Sequence, residues 1–259
     1  MNKIVFIDWG ILMFPAIFNW EKQRIFPATY TATAMLIGNL IKVGVKPEDK
    51  IIIALDSPKG TWRRDILPEY KANRKEMREK HDINWVEIFN NFNHLLEDLE
   101  HYTPFHTIKI DYLEADDIIA YGCKKFKDNE CIIVSSDSDY EQLCAYPNVK
   151  IFSPKSKKYK KIKNPYKVIA DKIKKETSDN LTTPVLSEVE YQKRYKVVNL
   201  LTLPFEVEEK VEANLSILPE KEWDYGNLPF KSLRERFKNI YRQDKIVSFE
   251  KKKRKKKGE

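Results

Sequence analysis

Four short, mostly apolar runs restrict this chain more than any other feature: "KIVFID" (Lys3 to Asp8), "KIIIALD" (Lys50 to Asp56), "HTIKI" (His106 to Ile110) and "CIIVSSD" (Cys131 to Asp137). Unbroken apolar runs of this length suit strands buried on both faces, and helical periodicity separates each from the next. The pattern predicts an α/β domain with a mainly parallel central sheet flanked by helices. "PATYTATAMLIGNLIKVGV" reads as a helix closed by Gly44, and Trp85, Ile88, Phe89, Phe92, Leu95, Leu96 and Leu99 mark the apolar face of another. "LEADDIIAYGCKKF" opens with acids in its first turn, where the helix dipole favours them.

After about Lys175 the strands stop. Ser187 and Glu190 form a capping-box pattern, Pro204 can open a helix, and "LPFKSLRERFKNIY" is amphipathic. The expected division is a catalytic α/β domain over 1–180, a small helical region over 181–246 and a basic, disordered tail over 247–259.

Three of the four strands end in aspartate: Asp8, Asp56 and Asp137. Asp139 follows two residues later, and Glu114, Asp116 and Asp117 open the helix after the third strand. In an open parallel sheet these positions converge at one edge. Two carboxylates about 4 Å apart repel by about 4 kcal/mol at an effective dielectric near 20, so such a cluster must be protonated or hold cations. All-oxygen ligands select a hard ion, Mg²⁺ or Mn²⁺. For any single position, a turn former or helix cap is the competing account, and Asp117 in particular could serve only the dipole.

Of the net charge of +8, the tail "KKKRKKKGE" carries seven bases against one acid, +6, leaving +2 for the rest. The body keeps its bases in two places: "KGTWRRDILPEYKANRKEMREK", and the stretch from Lys150 to Lys175, with eleven lysines against Asp171 alone. Either could be a solvated face; two of them beside strand-end acids suggest an anionic polymer as ligand. Three cysteines without C-x-x-C spacing argue against zinc and against a disulfide framework. No apolar run is long enough to cross a membrane, and the expected setting is cytoplasmic. No glycine-rich phosphate loop and no nucleophile elbow is present.

"WRRDILPEYKANR", "YLEADDIIA" and "VSSDSDYEQL" resemble, in order and spacing, the signatures of the 5′-nuclease (flap endonuclease) superfamily, whose catalytic domain is PIN-like. "FSPKSKKYKKIK" and "LSEVEYQKRYK" are most similar to its T-even phage ribonuclease H branch, and the likeness runs from Lys3 to about Phe237. The resemblance implies a Mg²⁺-dependent 5′ to 3′ exonuclease and flap endonuclease that removes RNA primers during phage-type DNA replication. Two ions are implied, with Mn²⁺ able to substitute. Asp8, Asp56, Glu114, Asp116 and Asp137 would surround one; Asp139, with Glu176 and Asp179, would hold the second. Lys175 and Glu176 stand where the family has glycine and aspartate, and only "TTPV" separates Leu181 from Leu186 where it has a helix-turn-helix.

Catalytic roles are implied for Lys71, Arg74, Asp116 and Asp137. Nucleic-acid contacts are implied for Arg63, Arg64, Tyr70, Lys71 and Arg74. Lys157, Lys158, Lys160 and Lys161 are expected to bind phosphates in place of the shortened duplex grip. Expected partners are flap, nicked or gapped DNA and RNA–DNA hybrid, with a single-stranded-DNA-binding protein or sliding clamp as further candidates, for a monomeric chain away from membranes. The alternative is a catalytically weakened, structure-specific DNA-binding protein of the same fold. An acid-lined phosphatase is disfavoured because "DSDYE" lacks the threonine or valine usual after a nucleophilic D-x-D.

Overall fold

The computed structural model describes residues 2–174 and 187–241. Strands β1 (Lys3–Asp8), β2 (Lys50–Leu55), β3 (Phe105–Lys109), β4 (Glu130–Val134), β5 (Val149–Ser153) and β6 (Lys158–Tyr159) form one sheet in the order β3-β2-β1-β4-β5-β6. The first five run parallel, and β6 returns antiparallel along the edge. The four expected strands are present. The last two come from the lysine-rich stretch expected only as a basic flank, where Phe152 and Ser153 pair with Tyr159 and Lys158.

From β1 the chain steps outward through β2 and β3, then crosses back to lay β4 against the other side of β1. Reversal of strand order beside β1 opens a crevice at the carboxyl ends of the strands. Alternation along β1 serves both faces of the sheet, as its period of two requires. Val5 and Ile7 pack towards α1 (Gly10–Gln23), α2 (Ala28–Val43) and α5 (Trp85–Tyr102). Ile4 and Phe6 pack towards α6 (Ala115–Lys125) and α9 (Phe205–Leu215). Helix α2 ends on Gly44 at φ 72°, the left-handed cap that glycine adopts without strain. Helix α6 lies so close to β1 that a Cβ on Gly122 would stand 2.4 Å from the Phe6 ring.

The segment over the sheet edge contains α3 (Arg63–Ile66) and α4 (Arg74–Glu79); α7 (Tyr166–Lys174) follows β6. Among the described residues beyond 186 there are helices and no strands: α8 (Glu188–Val198), α9 and α10 (Arg234–Lys238). Ser187 caps α8, its Oγ accepting the Glu190 N–H at 3.1 Å, and Pro204 precedes α9. Phe237 and Ile240 join the core beside α2 and α5. A separate small core unites Leu67 and Tyr70 with Ile169 and Ile173 of α7 and Val197 and Val198 of α8. Among the described residues no helix is long and apolar enough to cross a membrane.

Candidate active site

The carboxyl edge of the sheet opens into a cavity of about 550 Å³. Asp8, Asp56, Glu114, Asp116, Asp137 and Asp139 all line it, so six acids from widely separated parts of the sequence meet in one place. Lys71, Arg74 and Lys155 supply basic lining, and Ile11, Phe14, Phe18 and Met35 form an apolar wall from α1 and α2.

Asp8 closes β1. Burial, then the neighbouring Asp56 and Asp137, push its carboxyl up to about 7 even though the Ser135 hydroxyl donates to it at 3.0 Å. Asp56 follows β2 and accepts the Ala115 N–H at 2.9 Å, which ties it to the first turn of α6. Ser135 also accepts the Asp137 N–H at 3.1 Å, and Asp137 accepts the Asp139 N–H at 3.0 Å. This chain of short-range bonds fixes the turn after β4 and aims both aspartates at the cavity.

The α6 side is arranged around Arg63. Its guanidinium, 1 % exposed, donates to Glu114 and Asp117 at 2.9 Å and lies 3.2 Å from Asp116; its Nε donates to the Val197 carbonyl at 2.8 Å. The Lys71 ammonium donates to the other oxygen of Glu114 at 2.6 Å. Burial opposes ionisation of Glu114, yet Arg63 and Lys71 outweigh it and hold Glu114 well below the usual carboxylate range. Asp116 is driven the other way, first by burial and then by Glu114 and Asp117, against the pull of Arg63. Lys71 stands at φ 55°, a left-handed conformation that costs a non-glycine residue on the order of 1–3 kcal/mol. Its ammonium thereby enters the cavity from a turn, ahead of α4, which begins at Arg74.

Several expected roles change with these positions. Arg63 is sealed within the acid set and has no surface to offer nucleic acid, because burying a cation requires compensating anions on several sides. Tyr70, 2 % exposed, belongs to the small core rather than to a stacking surface. Arg64 is exposed and braces its own turn, donating to the carbonyls of Tyr70 at 3.1 Å and Lys71 at 3.3 Å. Lys157, Lys158 and Lys161 are exposed at and beyond the β5–β6 turn. The Lys160 ammonium is instead committed to Glu141 at 3.0 Å and to the carbonyls of Ser136 and Asp137. Asp117 serves the helix end: it accepts the Glu114 N–H at 2.9 Å and pairs with Arg63. Glu176, Asp179 and the lysine-rich tail lie outside the described residues.

Sequence reasoning passed over Ser135, Tyr140, Lys155, Lys172 and the apolar wall. Tyr140 is buried against the acids, and its hydroxyl is pushed well above the usual range by burial and by Asp8. The Lys172 ammonium of α7 contacts Asp139. Position in "DSDY", directly after two strand-end acids, was the available signal for Tyr140; nothing local pointed to Lys172.

Among the described residues no three acidic, histidine or cysteine side chains are grouped tightly enough to enclose an ion by themselves. Glu114 and Asp139 are drawn towards lysines instead. The donor set nevertheless suits a hard cation. It is wholly oxygen, Asp116 Oδ1 is buried without an aligned hydrogen bond, and burial, then Asp56 and Asp137, raises Asp8.

The family model for the 5′-3′ exonuclease, N-terminal resolvase-like domain, matches residues 3–175. Ribonuclease H of Enterobacteria phage T4 is 38 % identical over 171 residues, 62 % of this chain and 55 % of that protein. A 5′-3′ exonuclease of Mycoplasmopsis pulmonis is 33 % identical over 144 residues, 55 % of this chain and 45 % of that one. The chain thus spans about half the length of these curated relatives. A bacteriophage T5 protein co-crystallised with metal ions shares the fold at a TM-score of 0.63 and 18 % identity, covering 84 % of this chain and 100 % of that one. Matched along most of its α/β domain by that model, the chain belongs to the 5′-3′ exonuclease family.

Proposed function

We propose that this protein is a divalent-cation-dependent 5′ nuclease. It hydrolyses phosphodiesters near the 5′ ends of DNA, or of RNA paired with DNA, by exonuclease and flap cutting, and removes RNA primers in DNA replication. The observation that carries the reading is the meeting of six carboxylates at the sheet edge, with Asp8 raised to about 7. Asp8, Asp56, Glu114, Asp116 and Asp137 would hold one hard ion and Asp139 a second, together with Glu176 and Asp179. When bound, Mg²⁺ or Mn²⁺ supplies the Lewis acidity that phosphodiester hydrolysis uses.

The chain's own residues do the remaining work. Lys71 and Arg74 present positive charge to the scissile phosphate; Lys71 exchanges Glu114 for a phosphate oxygen as the substrate enters. Ser135 keeps Asp8 oriented through its hydroxyl. The wall of Phe14, Phe18 and Met35 excludes water from one flank, which strengthens the electrostatic contacts opposite it. Lys157, Lys158 and Lys161, exposed at and beyond the β5–β6 turn, bind the phosphate backbone.

The test is incubation of a 5′-labelled flap and an RNA-primed duplex with Mg²⁺, with EDTA, and with the Asp137→Ala variant. Cleavage of both by the wild type alone, and only with Mg²⁺, is expected. A second reading, a DNA-binding protein of the same fold, draws on the engagement of Asp139 by Lys172. Tight flap binding with cleavage of neither substrate would favour it.

A further inference from the structure

We propose that Lys172 is a tethered cation that occupies the Asp139 side of the site, so that a divalent ion reaching Asp139 must displace it. This deepens the nuclease reading and rests on it. The contact between the Lys172 ammonium and Asp139 joins two largely buried side chains, 13 % and 19 % exposed. An ammonium so removed from water needs an anionic partner, and Asp139 supplies one.

Its aim is fixed by packing. Ile169 and Ile173 on α7 are buried in the small core with Leu67, Tyr70, Val197 and Val198. Lys172 lies three residues after Ile169 and one before Ile173, so seating those two isoleucines sets the rotation of α7 and carries Lys172 towards the turn after β4. The same core holds Tyr70, the neighbour of Lys71. Two ammoniums therefore enter the acid set from one shared base, Lys71 onto Glu114 and Lys172 onto Asp139.

They differ in what can replace them. Glu114 keeps Arg63 when Lys71 leaves. Asp139 is met by the Lys172 ammonium, and a divalent ion offers it twice the charge of that group. The consequence is an Asp139 side that fills weakly and late: replacing Lys172 retunes its affinity while leaving the Asp8 side unchanged.

Manganese binding, followed by calorimetry and by the electron paramagnetic resonance of free Mn²⁺, tests this without reference to turnover. Wild type should bind one ion more tightly than a second. Lys172→Met, which keeps the apolar stem, should tighten the weaker step about tenfold, roughly the effect of removing one opposing ion pair. Lys172→Arg should leave it weak. Lys172→Gln provides a second neutral variant should the methionine form fail to fold, and Asp139→Asn should abolish the weaker step in every background. Unchanged Mn²⁺ affinities in both neutral variants, with two ions still bound, would overturn the proposal and leave the nuclease reading intact. Absence of any bound ion in wild type and in Lys172→Met would overturn both.

Discussion

On the α6 side of the cavity Glu114 and Asp117 are buried and are balanced by an arginine that is itself 1 % exposed. On the β4 side Asp137 is open to solvent, and the balancing charges are lysines reaching in from the β5–β6 hairpin and α7. The first arrangement is permanent, since Arg63 meets three carboxylates and a main-chain carbonyl at once. The second is exchangeable, since each lysine holds its acid by one flexible arm. A site that must fold without its cations and still receive them can use both: a fixed half that preserves the geometry and a loose half that yields.

The sharpest way to break this distinction is to remove one balancing charge from each side. Arg63→Met should cost about 3–5 kcal/mol in urea unfolding, because it strands buried carboxylates. Lys172→Met should cost less, about 1–3 kcal/mol, because it removes the cation from a single largely buried acid rather than from three. Equal losses would mean that the halves are built alike.

Asp8 stands between them, and its titration reads the field of both. Its folded-state pKa, about 7, lies above the ordinary aspartate value of 3.8. The folded protein therefore holds a proton more firmly than the unfolded chain, and this stabilising contribution is full below about pH 4. It is lost as pH rises through about 7, by up to about 4 kcal/mol. In EDTA, stability should fall across that window, and Asp8→Asn should flatten the slope. A wild-type profile flat between those limits would show that neither burial nor the neighbouring Asp56 and Asp137 raises Asp8.

A smaller effect is expected at Gly122. An added Cβ would meet the Phe6 ring at 2.4 Å, so Gly122→Ala should push α6 away from β1 and cost about 1–3 kcal/mol in thermal unfolding. Because α6 carries Glu114 and Asp116 while β1 carries Asp8, flap cleavage should fall at temperatures where the variant is fully folded. Full retention of cleavage would show that the spacing between the two halves is not critical.

The acid set was legible because a parallel sheet converts sequence position into place: an aspartate at the end of an apolar run arrives at the carboxyl edge wherever the run lies. The same logic located α5 and α6. It missed β5 and β6 because "KIFSPKSKKYKKIK" is dominated by lysine, and an edge hairpin needs only a few apolar contacts to form. It missed α1 because "GILMFPAIFNWEKQ" is apolar nearly all round and interrupted by Pro15, which erases the periodic signal. The burial of Arg63, expected instead to contact nucleic acid, is illegible locally because its three carboxylate partners lie more than fifty residues away. Composition shows that a charge exists; only the fold shows what faces it.

The Arg63 bond to Val197 bears on where this chain can be shortened. Helix α8 supplies that carbonyl, and Gln142, beside the acid turn, donates to the Val198 carbonyl at 3.1 Å and accepts the Leu200 N–H at 2.7 Å. Cutting at residue 175, where the family match stops, would strip the arginine and the glutamine of partners in one stroke. A minimal fragment that keeps the acids in register must therefore extend at least through Leu200.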